Sequence, residues 1–469
     1  MSDFSRTSLF WLAVFSAYLA FAAWLQMHGY LASGVVDLWS RSIVQVDGPP
    51  GFKSTDSIYP PLPLVLVMVS HVVFGSAGVP LPTVVAAAVA ALMATSWYSN
   101  FRSQGRMSVT LAIVLTLLLA THPALLFTIS QGPELALLCL GVWVFARGVV
   151  NLRLTGSAPD MMKVAVGLML VGLSSTYGLL FTLASLPFLA VAARPSLFMS
   201  SPVGYLFAIV FPVACAIGSL LFVSFIFDTP LVPDLSPARP STPLQLVLVS
   251  LLALSPPILA ACARLRRAPM YLVPLVTSAS CVVVAALFNQ SLVIFSDPMI
   301  ACAPLVSVAA VAIRFWPPGL SRTILASAAL ASSWMSCALL LGQDDGTEPS
   351  RWQAAVGGSD IAPNASLMTV ADILRGREGI LIDVERSPDL VVELGGIEGM
   401  VLAGTPKFEL TVLGGRLDEN IIVARRSANA ARTEDQVLRR FPGISVAPPY
   451  GYRYRLNSDE WIVLEKEEA

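Results

Sequence analysis

Ionisable side chains are few before residue 342, and those at the edges of apolar runs are the ones that can do chemistry. Asp37 stands first among them. A carboxylate fixed at a membrane edge can take the proton from a hydroxyl, help worth about 10²–10⁴ in rate. The competing reading is structural. Asp37 and Arg41 sit one helical turn apart, and an exposed pair at that spacing contributes about 0.3–0.5 kcal/mol. Chemistry at a phosphate would also need cations or N–H donors. Arg41, Lys53, His122 and Arg239 are the candidates on the side of Asp37, and each also suits a lipid headgroup. A divalent cation is the other way to offset phosphate charge. Asp37 with Asp47 or Asp56 would offer hard oxygen ligands for Mg2+ or Mn2+, although no spacing requires a metal. Glu134, preceded by Pro133, suits either substrate contact or the N-terminal dipole of a helix.

These residues need elements to hold them. The chain has 469 residues, 55% hydrophobic and 13% charged, against about 25% charged in a soluble domain. A soluble chain so poor in charge could not cover its surface, so the composition predicts a polytopic α-helical membrane protein. It excludes a secreted disulfide scaffold, a nucleic-acid binder and a disordered chain. The net charge of −1 conceals a division. Residues 1–341 hold 9 acids and 15 bases, net +6, whereas 342–469 hold 21 acids and 14 bases, net −7. Cys139, Cys215, Cys262, Cys281, Cys302 and Cys337 all fall in apolar runs, with no zinc or redox spacing, and read as small buried hydrophobes.

Apolar runs of roughly spanning length occupy 9–26, 62–77, 80–98, 109–128, 134–150, 162–176, 178–193, 202–227, 243–263, 270–288, 298–315 and 322–341. Arg102 with Arg106, Arg147 with Arg153, Arg194, the cluster Arg264, Arg266 and Arg267, and Arg314 with Arg322 mark one side, read as cytoplasmic. The opposite side receives loop 27–60, 121–134, 228–242, 289–297 and everything after 342. Two full crossings between 62 and 98 would put Arg102 on the wrong side. Either 62–77 is shallow or re-entrant, or one basic loop breaks the rule, so the count is 11 or 12 transmembrane helices. His71 reads as a satisfied buried histidine and Lys163 as a snorkelling side chain. Asp297 falls at an outer end, where water is near. No chain of ionisable groups crosses the membrane and no half-to-half repeat is visible, which weighs against a transporter.

Loop 27–60 is the longest segment before the tail that cannot lie in lipid. Val35–Val46 carries apolar residues at Val35, Val36, Leu38, Trp39, Ile43, Val44 and Val46, the pattern of a short helix on the membrane surface with Trp39 at headgroup depth. Gly48-Pro49-Pro50-Gly51 ends it. Tyr59-Pro60-Pro61-Leu62 then opens a helix, with proline near its first position. An acid after the first membrane helix, a surface helix and this Tyr-Pro-Pro-Leu opening resemble the membrane-embedded C-type glycosyltransferases. Pro123 after the fourth helix and Gln131-Gly132-Pro133-Glu134 at the start of the next extend the likeness. It is topological over about 1–341 and specific to sequence at Asp37, Tyr59–Leu62 and Glu134.

The resemblance implies a sugar taken from a polyprenyl-phosphate carrier and passed, with inversion, to a glycan, lipid or protein on the outer face. Asp37 would be the base. Arg41, Lys53, Tyr59, Pro60, Pro61, His122, Glu134 and Arg239 would bind substrate, with Tyr59–Leu62 shaping the cavity floor. It also implies a bacterial inner-membrane location with an extracytoplasmic C-terminal domain. Family members often carry two adjacent acids where this chain has Asp37 followed by Leu38. That difference favours the first rival, a catalytically silent scaffold or binding subunit of polysaccharide assembly. The second rival is a transporter of lipid-linked sugar.

The tail begins with polar 342–358, which reads as a linker, before a small soluble α/β domain over 359–469. Patterning predicts helices at Ser366–Arg375 and Thr433–Phe441. It predicts strands at Ile380–Val384, Leu390–Leu394, Gly399–Leu402, Phe408–Leu413 and Asn420–Ala424, then a pair at Tyr452–Leu456 and Trp461–Leu464. No phosphate-cradling glycine motif follows a strand. Tyr450, Tyr452 and Tyr454 with Arg453 and Arg455 can stack on sugars, but strand alternation explains them equally.

Overall fold

The computed structural model describes residues 3–48, 59–75, 79–227, 244–289, 298–341, 348–402, 405–414, 417–426 and 435–467. Lys53, Asp56, Arg239 and Asp297 lie outside them. The helices before the tail are α1 (Asp3–Met27), α2 (Ser33–Asp47), α3 (Pro61–Phe74), α4 (Leu81–Ser103), α5 (Val109–Ala120), α6 (Pro123–Ser130), α7 (Pro133–Thr155) and α8 (Ala158–Ser174). They continue with α9 (Thr176–Ala192), α10 (Pro195–Ser200), α11 (Pro202–Phe227), α12 (Leu244–Arg264), α13 (Val273–Asn289), α14 (Pro298–Phe315) and α15 (Leu320–Leu340). The tail holds α16 (Glu348–Val356), α17 (Ala365–Leu374), β1 (Ile380–Ile382), α18 (Pro388–Leu394), β2 (Met400–Leu402), α19 (Pro406–Gly414), β3 (Ile421–Arg425), α20 (Gln436–Arg440), β4 (Tyr452–Asn457) and β5 (Trp461–Lys466).

The chain is a helical membrane protein. Among the described residues, Thr7–Met27, Leu81–Ser103, Pro133–Thr155, Pro202–Ile226 and Leu320–Leu340 are long and apolar enough to cross a bilayer. A sixth crossing forms if α5 and α6, bent by 55° at their break, count as one. Shorter apolar helices occupy Thr176–Ala192, Leu252–Arg264, Pro269–Val284 and Cys302–Phe315. Prolines account for several helix starts, since a missing N–H costs nothing there; α3, α4, α6 and α7 all carry one in their first two positions. Serines supply caps elsewhere, with Ser108 accepting from the Leu111 N–H and Ser175 from that of Gly178. α7 and α8 pack through glycine: a Cβ on Gly167 would stand 2.5 Å from the Phe145 backbone nitrogen.

The segment 62–77 folds as a short helix. α3 has 14 residues, which at 1.5 Å each reach about 21 Å, short of the roughly 30 Å hydrocarbon core. It runs beside α2 instead of across the bundle. Arg41 donates to the Tyr59 carbonyl at one end, and His71 Nε2 lies 3.1 Å from Asp47 Oδ2 at the other. Leu38 on α2 packs with Leu64 and Val67 on α3 and with Leu81, the first residue of α4. α4 therefore starts level with α2 and carries Arg102 to the opposite end of the bundle, in keeping with the basic loops.

Three expectations change. Trp39 is buried in protein and does not face lipid headgroups. α2 is roofed by the tail, and Trp39, Ile43 and Val44 join its hydrophobic core; the apolar face of α2 is covered by protein instead of lipid. Segment 342–358 is not a plain linker, because α16 fills much of it. Trp352 is 4% exposed, donates to Ser130 Oγ and packs edge-on against Phe21 and Phe127. Loop 121–134 is largely helical, since α6 occupies 123–130.

The tail folds around a mixed five-stranded sheet of order β2-β1-β3-β5-β4. β2, β1 and β3 are parallel; β5 runs antiparallel to β3 and β4. Alternation sends Ile380, Ile382, Val423, Trp461 and Val463 to the face that α2 joins. Leu381, Ile422, Ala424, Ile462 and Leu464 face the other layer, beside Phe408 and Val437. The expected strands at Leu390–Leu394 and Phe408–Leu413 are helices α18 and α19. Each opens on proline and closes at glycine, punctuation that outweighs a short apolar run.

Candidate functional site

Four of the candidates gather where α2, the start of α3 and the start of α7 meet. Asp37 Oδ2 lies 3.0 Å from Arg41 Nη2 on the same face of α2. Arg41 Nη1 also donates to the Tyr59 carbonyl at 3.3 Å. Glu134, in the first turn of α7, lies within electrostatic reach of Arg41, Asp37 and Tyr59. One guanidinium and two carboxylates from separate segments thus share a neighbourhood. Asp37 has 39% of its side chain exposed and Arg41 18%, so the acid faces open space while the base is held.

The supports explain why these segments converge. A Cβ on Gly34 would lie 2.7 Å from the Gln131 carbonyl oxygen, so only glycine lets α2 start this close to the end of α6. Gln131 Nε2 donates to the Tyr30 hydroxyl at 2.8 Å. Tyr59 is 1% exposed, and its hydroxyl lies 2.6 Å from the carbonyls of both Gly172 and Ser175, at the α8–α9 junction. Pro60 is buried and Pro61 half-buried, and the Tyr59-Pro60 bond is cis. From the tail side, Glu348 accepts from the Ser33 N–H at 2.9 Å and from its hydroxyl. Ile361 donates to the His28 carbonyl and Trp24 to that of Ala355, so the tail is fastened to the end of α1 beside the site.

His122 is placed elsewhere. It is fully buried at the α5–α6 bend, the far end of α6 from Gln131, with Nε2 3.4 Å from Ser333 Oγ. Its Nδ1 has no partner among the described residues. Asp47 does not join Asp37. Ten residues of helix separate them, about 15 Å, and Asp47 pairs with His71. Lys53 and Arg239 are outside the described residues. Among those described, no cluster of three or more His, Cys, Asp or Glu could hold a metal.

Sequence reasoning missed Gly172, Ser175, Gln131 and Glu348, which hold the segments together. Ser175 carried a faint signal as a cap residue between two apolar runs. The carbonyls of Gly172 and Ser175 carried none, because any residue has one.

The tail holds a second group of buried charge at the C-terminal ends of β1 and β3. Asp383 and Asp435 are 1% and 2% exposed. Asp435 caps α20 by accepting from Val437 and Leu438, and also accepts from the Arg425 N–H. Burial, with the nearby Asp383 carboxylate adding to it, pushes the Asp435 carboxyl up to about 7 despite those three donors. Arg425 stacks 4.7 Å over Trp461 and bridges Asp389 at 2.9 Å and Glu460 at 2.5 Å. No protein-family model matches the chain, and no curated protein matches it.

Proposed function

We propose that this chain is a glycosyltransferase-like membrane protein whose site is the Asp37–Arg41–Glu134 cluster. The observation that carries the reading is the convergence of two carboxylates and a guanidinium from residues 37–41 and 134, over the buried Tyr59, at one end of an apolar bundle. The basic loops orient that end outward, with eleven crossings once α3 is laid beside α2, the N-terminus inside and the tail extracytoplasmic in a bacterial inner membrane. The donor in this reading is a polyprenyl-phosphate sugar, and the acceptor a glycan, lipid or protein of the envelope.

The geometry suggests how the groups would act. Arg41 is paired with Asp37 at 3.0 Å. An arriving lipid phosphate competes for the guanidinium, and charge-assisted bonds to phosphate are among the strong ones. Taking Arg41 frees the Asp37 carboxylate to accept the proton of the acceptor hydroxyl as that oxygen attacks the anomeric carbon. The lipid phosphate departs with the bonding electron pair, its charge offset by Arg41. The Tyr59 carbonyl, which accepts from Arg41 Nη1, keeps the guanidinium in place while Asp37 changes partner, and the Glu134 carboxylate nearby adds negative charge.

A second reading has its own support. Asp37 and Arg41 are an i,i+4 pair on a helix whose Trp39, Ile43 and Val44 join the tail core, so the pair can serve as structure in a catalytically silent scaffold. Sugar transfer in reconstituted vesicles separates the two. Asp37→Asn should slow transfer from a polyprenyl-phosphate donor by about 10² or more, the low end of general-base help, while the protein still inserts and keeps its tail docked. Undiminished transfer removes Asp37 from the base role. An undocked tail with no transfer in either form supports the scaffold.

A further inference from the structure

At the end of the bundle opposite the tail, a cavity of about 370 Å3 opens between α5, α12, α14 and α15. Its walls are almost wholly apolar, from Leu115 and Leu119 on α5 to Leu325 and Leu330 on α15. Among the described residues, the charged ones that line it are Arg264, at the end of α12, and Arg322, in the first turn of α15, and no acid does. Both arginines are exposed. Arg264 uses Nε on the Phe315 carbonyl at 3.4 Å, and neither arginine forms an ion pair among the described residues. Trp316 also lines the cavity and is held by Thr323 at 3.2 Å, an indole where an interfacial aromatic belongs. The adjoining outer face of α15 is lipid-like, with Leu320, Ile324 and Leu325 exposed.

A dry pocket with only cations at its mouth selects a ligand with an apolar chain and an anionic head. We infer that this cavity holds an acyl chain of an anionic phospholipid, with Arg264 and Arg322 binding its phosphate. Basic pockets between transmembrane helices on the cytoplasmic side have this chemistry, and the basic loops put this end in the anionic leaflet. A zwitterionic lipid brings a quaternary ammonium that offsets its own phosphate and leaves two guanidinium groups without net counter-charge, and a free phosphate would leave the apolar walls unfilled. The site lies at the other end of the bundle from Asp37 and is independent of sugar transfer.

The test uses the purified full chain, delipidated in detergent. The probes are phosphatidylglycerol, phosphatidylcholine with the same acyl chains, and inorganic phosphate. Lipid retention is read by native mass spectrometry, alongside the shift in thermal unfolding. Phosphatidylglycerol should bind at least about tenfold more tightly than phosphatidylcholine, and phosphate at equal concentration should produce no shift. Arg264→Gln with Arg322→Gln should erase the preference, and the corresponding double Lys variant should keep most of it. Ala312→Phe, which fills the cavity and leaves both arginines, should weaken both lipids. Equal binding of the two lipids overturns the inference, as does a shift by phosphate that matches the lipid. Unchanged phosphatidylglycerol binding in Ala312→Phe overturns it too, because surface charge alone would then explain the binding.

Discussion

Beneath the tail, Arg41 is held by the Asp37 side chain and lies close to Glu134. At the opposite end, Arg153 donates to the Ala193 carbonyl and Arg194 to that of Arg153. These acceptors lie at or near helix C-termini, where carbonyls lack helical partners and the dipole favours cations. The difference is one of exchangeability. A cation held by a helix end fixes the end of that helix, and replacing it disturbs the fold. A cation held by another side chain can be traded for a ligand with the backbone unmoved. The first arrangement anchors; the second suits binding and chemistry.

The contrast can be broken by substitution. Asp37→Asn combined with Glu134→Gln should slow sugar transfer by about 10²–10⁴, the scale of general-base help, with the protein still inserted. Truncating the joint between bundle and tail tests a different link: Trp39→Ala should cost about 3–5 kcal/mol, as for other buried aromatics. It would be read as faster proteolysis between residues 341 and 365. Arg153→Gln should cost about 1.5–3 kcal/mol, the value of a hydrogen bond to a charged group, and leave transfer per folded molecule unchanged. If Arg153→Gln stopped transfer in folded protein, the division between anchoring and exchangeable charge would fail.

A further test concerns the tail alone. The Asp435 carboxyl is raised by burial and by Asp383. Its contribution to stability is therefore complete below the ordinary carboxylate range and is lost as pH rises from about 4 through about 7. Hydrogen exchange at the β1 and β3 amides should accelerate over that window beyond its intrinsic pH dependence. Asp435→Asn should flatten the excess. Last, Glu348→Gln weakens the contact with Ser33 and should loosen the tail by about 1 kcal/mol, seen as a small increase in proteolysis at α16.

Much of the fold was legible because apolar runs and basic loops answer to the bilayer alone. The helical membrane character, the start of α3 at Tyr59-Pro60-Pro61, the β4–β5 pair and the helix over Val35–Val46, found as Ser33–Asp47, follow from local pattern, although five or six of the 11 or 12 expected crossings are long and apolar enough among the described residues. What local pattern cannot say is which surface covers an apolar face. Trp39 and Ile43 look the same to the sequence whether lipid or a folded domain lies against them, and here the domain does. The site was legible in part. Asp37, Arg41 and Tyr59 stood out by type and position. Glu134 was equally a helix-start acid until the fold brought it to Arg41. His122 was misleading for the opposite reason: a proline-marked break looks like a loop, yet at the 121–122 bend His122 itself is buried.

The most direct measurement is a structure of the chain in lipid nanodiscs with a polyprenyl-phosphate sugar bound. The account expects the phosphate within hydrogen-bonding distance of Arg41, with the Asp37 carboxylate released from its guanidinium and turned toward the anomeric carbon. A carrier phosphate bound away from this cluster, with Asp37 still paired to Arg41, would contradict it.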